Sequence, residues 1–230
     1  MITRNTHQAD SEQWRIDRAG KFTGSEMHLV MARREVGTKD TKRLIPYEAY
    51  WDIVDRIVVE RLTGMPAGEE FSSAATRHGR EVEPLNLAEY ERRTGYFVEQ
   101  VGFIKHPKYP AITGASPDGL VADSENGPGG VEAKSPKDPM VHLDRLRNGM
   151  PPEMLAQCHA CIWATGATWW DWTSYSPAFA LKNPDLAFIR VRVMRDESIL
   201  ADMERKVLQA EAEVQKRLRE LREKYPSINL

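Results

Sequence analysis

Cysteine is scarce. The 230 residues hold two, Cys158 and Cys161. Two cysteines cannot build the multi-bridge framework of a small secreted domain, and free thiols suit a reducing compartment. With His159 between them they resemble a metal-binding CxxC, but a structural zinc site takes four ligands and the chain has no second pair. The four-cysteine set of an iron–sulfur cluster is missing as well. Both cysteines fall on an apolar stretch beside Ile162, which favours core packing. Long apolar runs are also lacking: nowhere do about 18 apolar residues follow one another, so no membrane-spanning helix is expected. The start, Met1-Ile2-Thr3-Arg4-Asn5, has nothing of a secretory leader, and a cytoplasmic location is the expectation. Charge of one sign does not dominate either. Lys and Arg total 32, Asp and Glu 34, for a net charge of −2, so a nucleic-acid-binding surface would have to come from local arrangement of charge. There is no G-x-x-x-x-G-K-[ST] loop, hence no ATP-driven motor.

What is present reads as globular: 41% hydrophobic and 29% charged residues. The length suits one domain over residues 1–230. Residues 11–31 read as a short lead-in and a helix carrying Met27, Val30 and Met31 behind a Thr23 or Ser25 cap. Residues 33–43 hold five basic residues against Glu35 and Asp40 and read as a basic mobile loop, solvated or contacting phosphate. A helix is predicted over 46–62, with Pro46 in its first turn, and another over 70–93, ended by Thr94-Gly95. Short strands are predicted at 96–104, 111–113, 120–122 and 130–134, with turns at Ser116-Pro117-Asp118-Gly119 and at 126–130. Helices follow at 139–147 and 152–165, strands at 168–175 and 186–194, and a long helix at 197–224 whose stripe of Leu200, Met203, Val207, Ala210 and Val214 should dock on the rest of the chain. Trp169-Trp170-Asp171-Trp172 reads either as a base-stacking platform or, on a strand, as core on both faces. The order predicts an α/β architecture, a mixed central sheet flanked by helices.

The chemistry concentrates in two segments. Asp118 lies in a turn at a strand end. Glu132 and Lys134 stand two apart on the next strand, so they share one face, and a hairpin-like return brings Asp118 beside them. Carboxylates with a lysine at one sheet edge suit Mg²⁺, which keeps several waters and recruits phosphate oxygens, and metal-assisted phosphodiester hydrolysis. The plain alternative is a common P-D-G turn beside an exposed cross-strand Glu–Lys pair. The apolar flanks Leu120, Val121 and Val131, and a further carboxylate, Glu83, on the preceding helix, favour the site.

These blocks, in order, resemble the phage lambda-type exonuclease family (YqaJ-like viral recombinases) of the PD-(D/E)XK nuclease superfamily. Residues 14–25 resemble its N-terminal Trp…Arg…Gly…Thr-x-Ser block and Gly79-Arg80-Glu81-Val82-Glu83 its Gly-x-x-x-Glu helix. Ser116-Pro117-Asp118-Gly119-Leu120 and Glu132-Ala133-Lys134 resemble its catalytic strands, and Met154-Leu155-Ala156-Gln157 its Met-x-Ala-Gln helix. The resemblance implies a restriction-endonuclease-like core and the following roles. Asp118 and Glu132, with the main-chain carbonyl of Ala133, would hold Mg²⁺ (Mn²⁺ as substitute), and Glu83 would complete the acidic cluster, directly or through water. Lys134 would position the attacking water. Arg18 would bind the 5′-terminal phosphate, with Ser25, Ser116 and Gln157 as hydrogen-bonding neighbours. It also implies processive 5′→3′ degradation of double-stranded DNA, a homotrimeric ring, a 3′ single-stranded tail for recombination and a single-strand annealing protein as partner in a bacterial host cell, with no membrane association. The basic stretch 33–43 and the helix bearing His142, Arg145 and Arg147 are candidate DNA contacts. Two departures stand out: Cys161 replaces the tyrosine of the Gln-x-x-x-Tyr pattern of helicase-fused nucleases, and the segment before Gly79 has few of the apolar side chains that open the duplex end in the family. A structure- or sequence-specific endonuclease, and a catalytically silent DNA-binding protein, are the competing readings.

Overall fold

In this computed structural model, residues 11–38, 41–67, 74–123 and 125–227 are described. Helix α1 (Glu12–Arg18) is opened by Ser11, whose hydroxyl accepts the Trp14 amide. The expected lead-in is thus itself helical. It runs into β1 (Phe22–Thr23), a 3₁₀ turn at Gly24–Glu26 and α2 (Met27–Met31). The basic stretch predicted as a loop is a ribbon instead: β2 (Arg33–Val36) pairs antiparallel with β3 (Arg43–Pro46). Neither strand buries a residue fully, so the apolar alternation that reveals a strand is missing from the sequence. Pro46 closes β3 rather than opening α3 (Glu48–Thr63), which Gly64 ends with a positive φ of 69°. Helix α4 (Ala74–Thr94) follows; its predicted beginning at 70–73 lies outside the described residues.

The predicted strand 96–104 is split. Its first part is β4 (Val98–Glu99) in the large sheet, and its end leads into β5 (Ile104–Lys105) in a small one. Next come β6 (Thr113–Ala115), β7 (Gly119–Asp123) and β8 (Gly127–Lys134), then α5 (Pro139–Asn148) and α6 (Pro152–Thr165). Strand β9 (Trp169–Tyr175), the short α7 (Pro177–Ala180), β10 (Phe188–Met194) and α8 (Glu197–Lys224) complete the chain. The five-stranded sheet has the order β10-β9-β8-β7-β4. Only the β8–β9 pair in it is parallel, and α5 and α6 make that crossover. The expected mixed sheet with flanking helices and a long C-terminal helix is therefore present.

Helix α6 covers one face of the sheet, burying Cys158, Cys161 and Ile162 against Trp170 and Trp172. Helix α4 covers the other, packing Leu87 and Tyr90 on Trp169, Val121 and Val131. All three indoles are fully buried, so the tryptophan run is core and not a stacking platform. On the α4 side the fully buried Asp171 carboxylate accepts two hydrogen bonds of 2.8 Å from Arg192 and one of 2.8 Å from the Tyr90 hydroxyl. The stripe of α8 docks, as its spacing predicts, on Ile53, Val54 and Ile57 of α3 and on Met27 and Val30 of α2.

Strand β8 begins three residues earlier than the predicted 130–134, because Gly127, Pro128 and Gly129 belong to it as well. A Cβ on Gly129 would stand 2.1 Å from the Trp169 ring, and one on Gly130 2.3 Å from the Trp170 ring. The indoles occupy the space that strand side chains would fill. Gly130→Ala should therefore destabilise the fold by about 1–3 kcal/mol through overpacking, read as a lower denaturation midpoint with unchanged secondary structure.

Candidate active site

The β7–β8 ladder stops at Gly119 opposite Val131. Beyond it the chain of Ser116, Pro117 and Asp118 leaves β8, and backbone groups on that edge of β8 lose their strand partner. Asp118 takes the place of the missing strand: its Oδ2 accepts the Ala133 amide at 2.6 Å. The Glu132 carbonyl is on the other edge, where the Thr173 hydroxyl donates to it at 3.4 Å. Backbone groups alternate between edges along a strand, so the Ala133 carbonyl lies on the Asp118 side.

Glu132 and Lys134 share one face of β8, as the spacing predicts, and Lys134 Nζ donates to Glu132 Oε1 at 2.5 Å. Gln157 of α6 donates to the same oxygen, also at 2.5 Å. The second oxygen, Oε2, is buried with no hydrogen-bond partner. Desolvation and the neighbouring Glu132 and Glu83 carboxylates push the Asp118 carboxyl well above its ordinary range, against the opposing pull of Lys134 and the Ala133 amide. Burial works against the Lys134 ammonium, but Glu132 and Asp118 outweigh it and hold the charged form. Negative charge is thus crowded here beyond what one lysine relieves.

A bare buried carboxylate oxygen, a crowded aspartate and a carbonyl on the same edge form a hard oxygen donor set that fits a small divalent cation. Among the described residues, no group of three His, Cys, Asp or Glu side chains is arranged as a ready-made cage. A Mg²⁺ ion does not need one, since it keeps waters and recruits substrate oxygens.

Arg18, at the C-terminal end of α1, lies 4.1 Å from the Trp14 ring centroid. It donates to Ser116 Oγ at 3.2 Å and to Thr23 Oγ1 at 3.5 Å. Ser25 Oγ is 3.4 Å from Thr23 Oγ1. Arg18, Ser25 and Ser116 therefore stand together, and Ser116 joins them to Asp118 two residues on. Gln157 is hydrogen-bonded to Glu132. Two residues of the N-terminal block, given no role on the sequence, and one outside every block contribute as well. Thr23 bridges Arg18 and Ser25, and Trp14 backs the guanidinium. Buried Asn86 of α4 donates to the Lys134 carbonyl at 3.3 Å and accepts from Thr173 at 3.0 Å, fixing the end of β8. The one available signal for Asn86 is a polar residue three after Glu83 among the apolar Val82, Leu87 and Tyr90. Cys158 and Cys161 are buried free thiols whose pKa burial pushes up; they are core, not ligands.

The mixed sheet, the helices on its two faces and the acidic strand ends define a fold of the PD-(D/E)XK nuclease kind. Residues 13–168 match the YqaJ-like viral recombinase domain, and the chain belongs to that family. The matched span includes every predicted site residue, from Arg18 to Gln157. The crystal structure of LHK-Exo, an alkaline exonuclease from Laribacter hongkongensis, superposes with a TM-score of 0.78 and 30% identity, over 95% of this chain and 100% of that one. The complex of LHK-Exo with dAMP gives 0.79 and 31%, with the same coverage. A phage related exonuclease from Haemophilus somnus 129PT shares the fold at a TM-score of 0.64 and 14% identity, over 87% of this chain and 96% of that one. No curated protein matches the chain. Among the described residues no helix is long and apolar enough to cross a membrane.

The crowding has a measurable consequence. A carboxyl whose pKa is raised by folding costs stability at neutral pH. Asp118→Asn keeps an oxygen for the Ala133 amide and removes one charge, so in EDTA at pH 7 its unfolding midpoint should lie above that of the wild type. An equal or lower midpoint contradicts the crowding.

Proposed function

We propose that the protein is a Mg²⁺-dependent 5′→3′ exonuclease acting on double-stranded DNA ends. The observation that carries this reading is the bare, buried Oε2 of Glu132 beside Asp118, with the Arg18–Ser116 pair two residues from that aspartate. In this reading Asp118, Glu132 and the Ala133 carbonyl would hold the ion, Glu83 would complete the acidic cluster directly or through water, and Mn²⁺ would serve as substitute. When bound, the ion supplies positive charge at the scissile phosphate and acidifies the attacking water. The Lys134 ammonium, which donates to Glu132, would orient that water and offset charge gathering on the phosphate. Gln157 keeps Glu132 in place through Oε1. Arg18 exchanges its hydroxyl partners for the doubly charged 5′-terminal phosphate, whose oxygens match the guanidinium fork. Holding the 5′ end there sets the direction of digestion and leaves a 3′ single-stranded tail for recombination. A homotrimeric ring would account for processivity, and an annealing protein would take the tail, in the cytoplasm of a bacterial host.

Linear duplex DNA with one 5′-phosphorylated and one 5′-hydroxyl end, alongside a closed circle, tests the reading in Mg²⁺. Shortening from the phosphorylated end with the circle intact is expected. Cutting of the circle would instead make the protein an endonuclease, and no cleavage with any divalent cation would leave a DNA-binding protein. Lys134→Ala should lower cleavage by about 10²-fold or more while sparing DNA binding, and Arg18→Ala should erase the preference between the two ends. Independently of activity, Mg²⁺ should raise the unfolding midpoint of the wild type and leave that of Glu132→Gln unmoved, because a ligand stabilises only a fold that binds it.

A further inference from the structure

Beyond the acidic cluster, a second polar chain ends on the same face of the sheet. The register sets Lys134 of β8 opposite Ser174 of β9, one strand away at about 4.8 Å, and opposed residues project from the same face. Ser174 Oγ accepts from Arg145 Nη1 of α5 at 3.1 Å and lies 2.9 Å from His142 Nδ1. The other ring nitrogen, Nε2, is 2.9 Å from the Leu186 carbonyl. A carbonyl only accepts, so Nε2 carries the proton, Nδ1 accepts from the serine hydroxyl, and the serine lone pairs are left to Arg145. The fully buried His142 is held neutral by its burial. Three residues thus fix one guanidinium, whose carbon lies 5.5 Å from the Trp172 ring centroid.

That guanidinium is under-used. It has five N–H donors, yet its Nε is buried without a partner; the Glu153 and Asp144 carboxylates act on it from a distance, and among the described residues none forms an ion pair with it. Three other half-buried arginines are neutralised: Arg61 by Glu211, Arg56 by Glu60 and Arg192 by Asp171. A positioned, partly desolvated cation with spare planar donors matches an oxyanion with two accessible oxygens. We propose that Arg145 binds a backbone phosphate of the DNA strand lying across the site, with Ser174 and His142 as positioning residues that hold its fork toward that phosphate. This rests on the nuclease reading above.

The test uses the full chain carrying Lys134→Ala, so that DNA is bound in Mg²⁺ but not cut. Affinity is measured by fluorescence anisotropy for duplexes in which each phosphate near the 5′ end is replaced in turn by a neutral methylphosphonate. Arg145→Gln should weaken binding to unmodified DNA about tenfold and lower the salt-dependence slope by about 0.9. It should also become indifferent to one methylphosphonate position that costs the parent affinity. Ser174→Ala, which keeps the charge and loosens its hold, should shrink the penalty at that same position alone; it carries the test if the glutamine variant does not fold. Unchanged slope and unchanged penalties at every position in these variants would show that Arg145 is only a brace on Trp172. If the Lys134→Ala parent itself failed to bind DNA, the nuclease reading would fall first and the phosphate site with it.

Discussion

Everything in the site follows from the point at which two strands stop pairing. Had β7 continued alongside β8, the Ala133 amide and carbonyl would have been consumed by the ladder, and Asp118 would have been one more strand residue. Because pairing ends at Gly119 and Val131, a carboxylate substitutes for a strand. That substitution brings Asp118 against Glu132 in surroundings with little water to separate like charges. The fold maintains a repulsive arrangement that one lysine only partly offsets. Such local cost is sustained when the remaining structure over-determines it, and here the determinants are identifiable.

The supports come from both layers. Asn86 of α4 ties the end of β8 to Thr173, and Gln157 of α6 holds one oxygen of Glu132, so β8 is clamped from both faces. Behind it the sheet is made rigid by three buried indoles and by Asp171, whose charge is satisfied by Arg192 and Tyr90. Of the two carboxylates on neighbouring strands, Asp171 is fully neutralised and Glu132 is left with an open oxygen. This contrast separates a charge that stabilises architecture from one that is available for chemistry. A buried pair of the first kind breaks at high cost.

The acidic site was largely legible in the sequence because its parts are local. A P-D-G turn and E-x-K on the following strand are joined by one hairpin, and strand periodicity places Glu132 and Lys134 on one face without knowledge of anything distant. The helices at 152–165 and 197–224 were legible for the same reason: their apolar stripes are read along one element. What escaped was non-local or unpatterned. The ribbon of β2 and β3 is exposed on both faces and shows no alternation. The strand at 96–104 is divided because its two ends join different sheets. The first half of β8 looks like a turn because the residues that explain its glycines, Trp169 and Trp170, come 40 residues later and meet them only across the sheet. His142 and Arg145 are linked by their i, i+3 spacing on α5, but the hold of Ser174 on them spans two elements and no spacing rule reaches it.

The glycine–tryptophan pairs also constrain how the chain can change. Gly129 and Gly130 have no room for a methyl group while Trp169 and Trp170 stand beside them, and removing either indole alone leaves a large void over a bare backbone. Each position is therefore closed to substitution until its partner moves. The first change in either order passes through a destabilised intermediate, and the second is favourable only because of the first. The strand that carries Glu132 and Lys134 is thus anchored at its opposite end by positions that can drift only in pairs, which insulates the register of the site from single mutational steps.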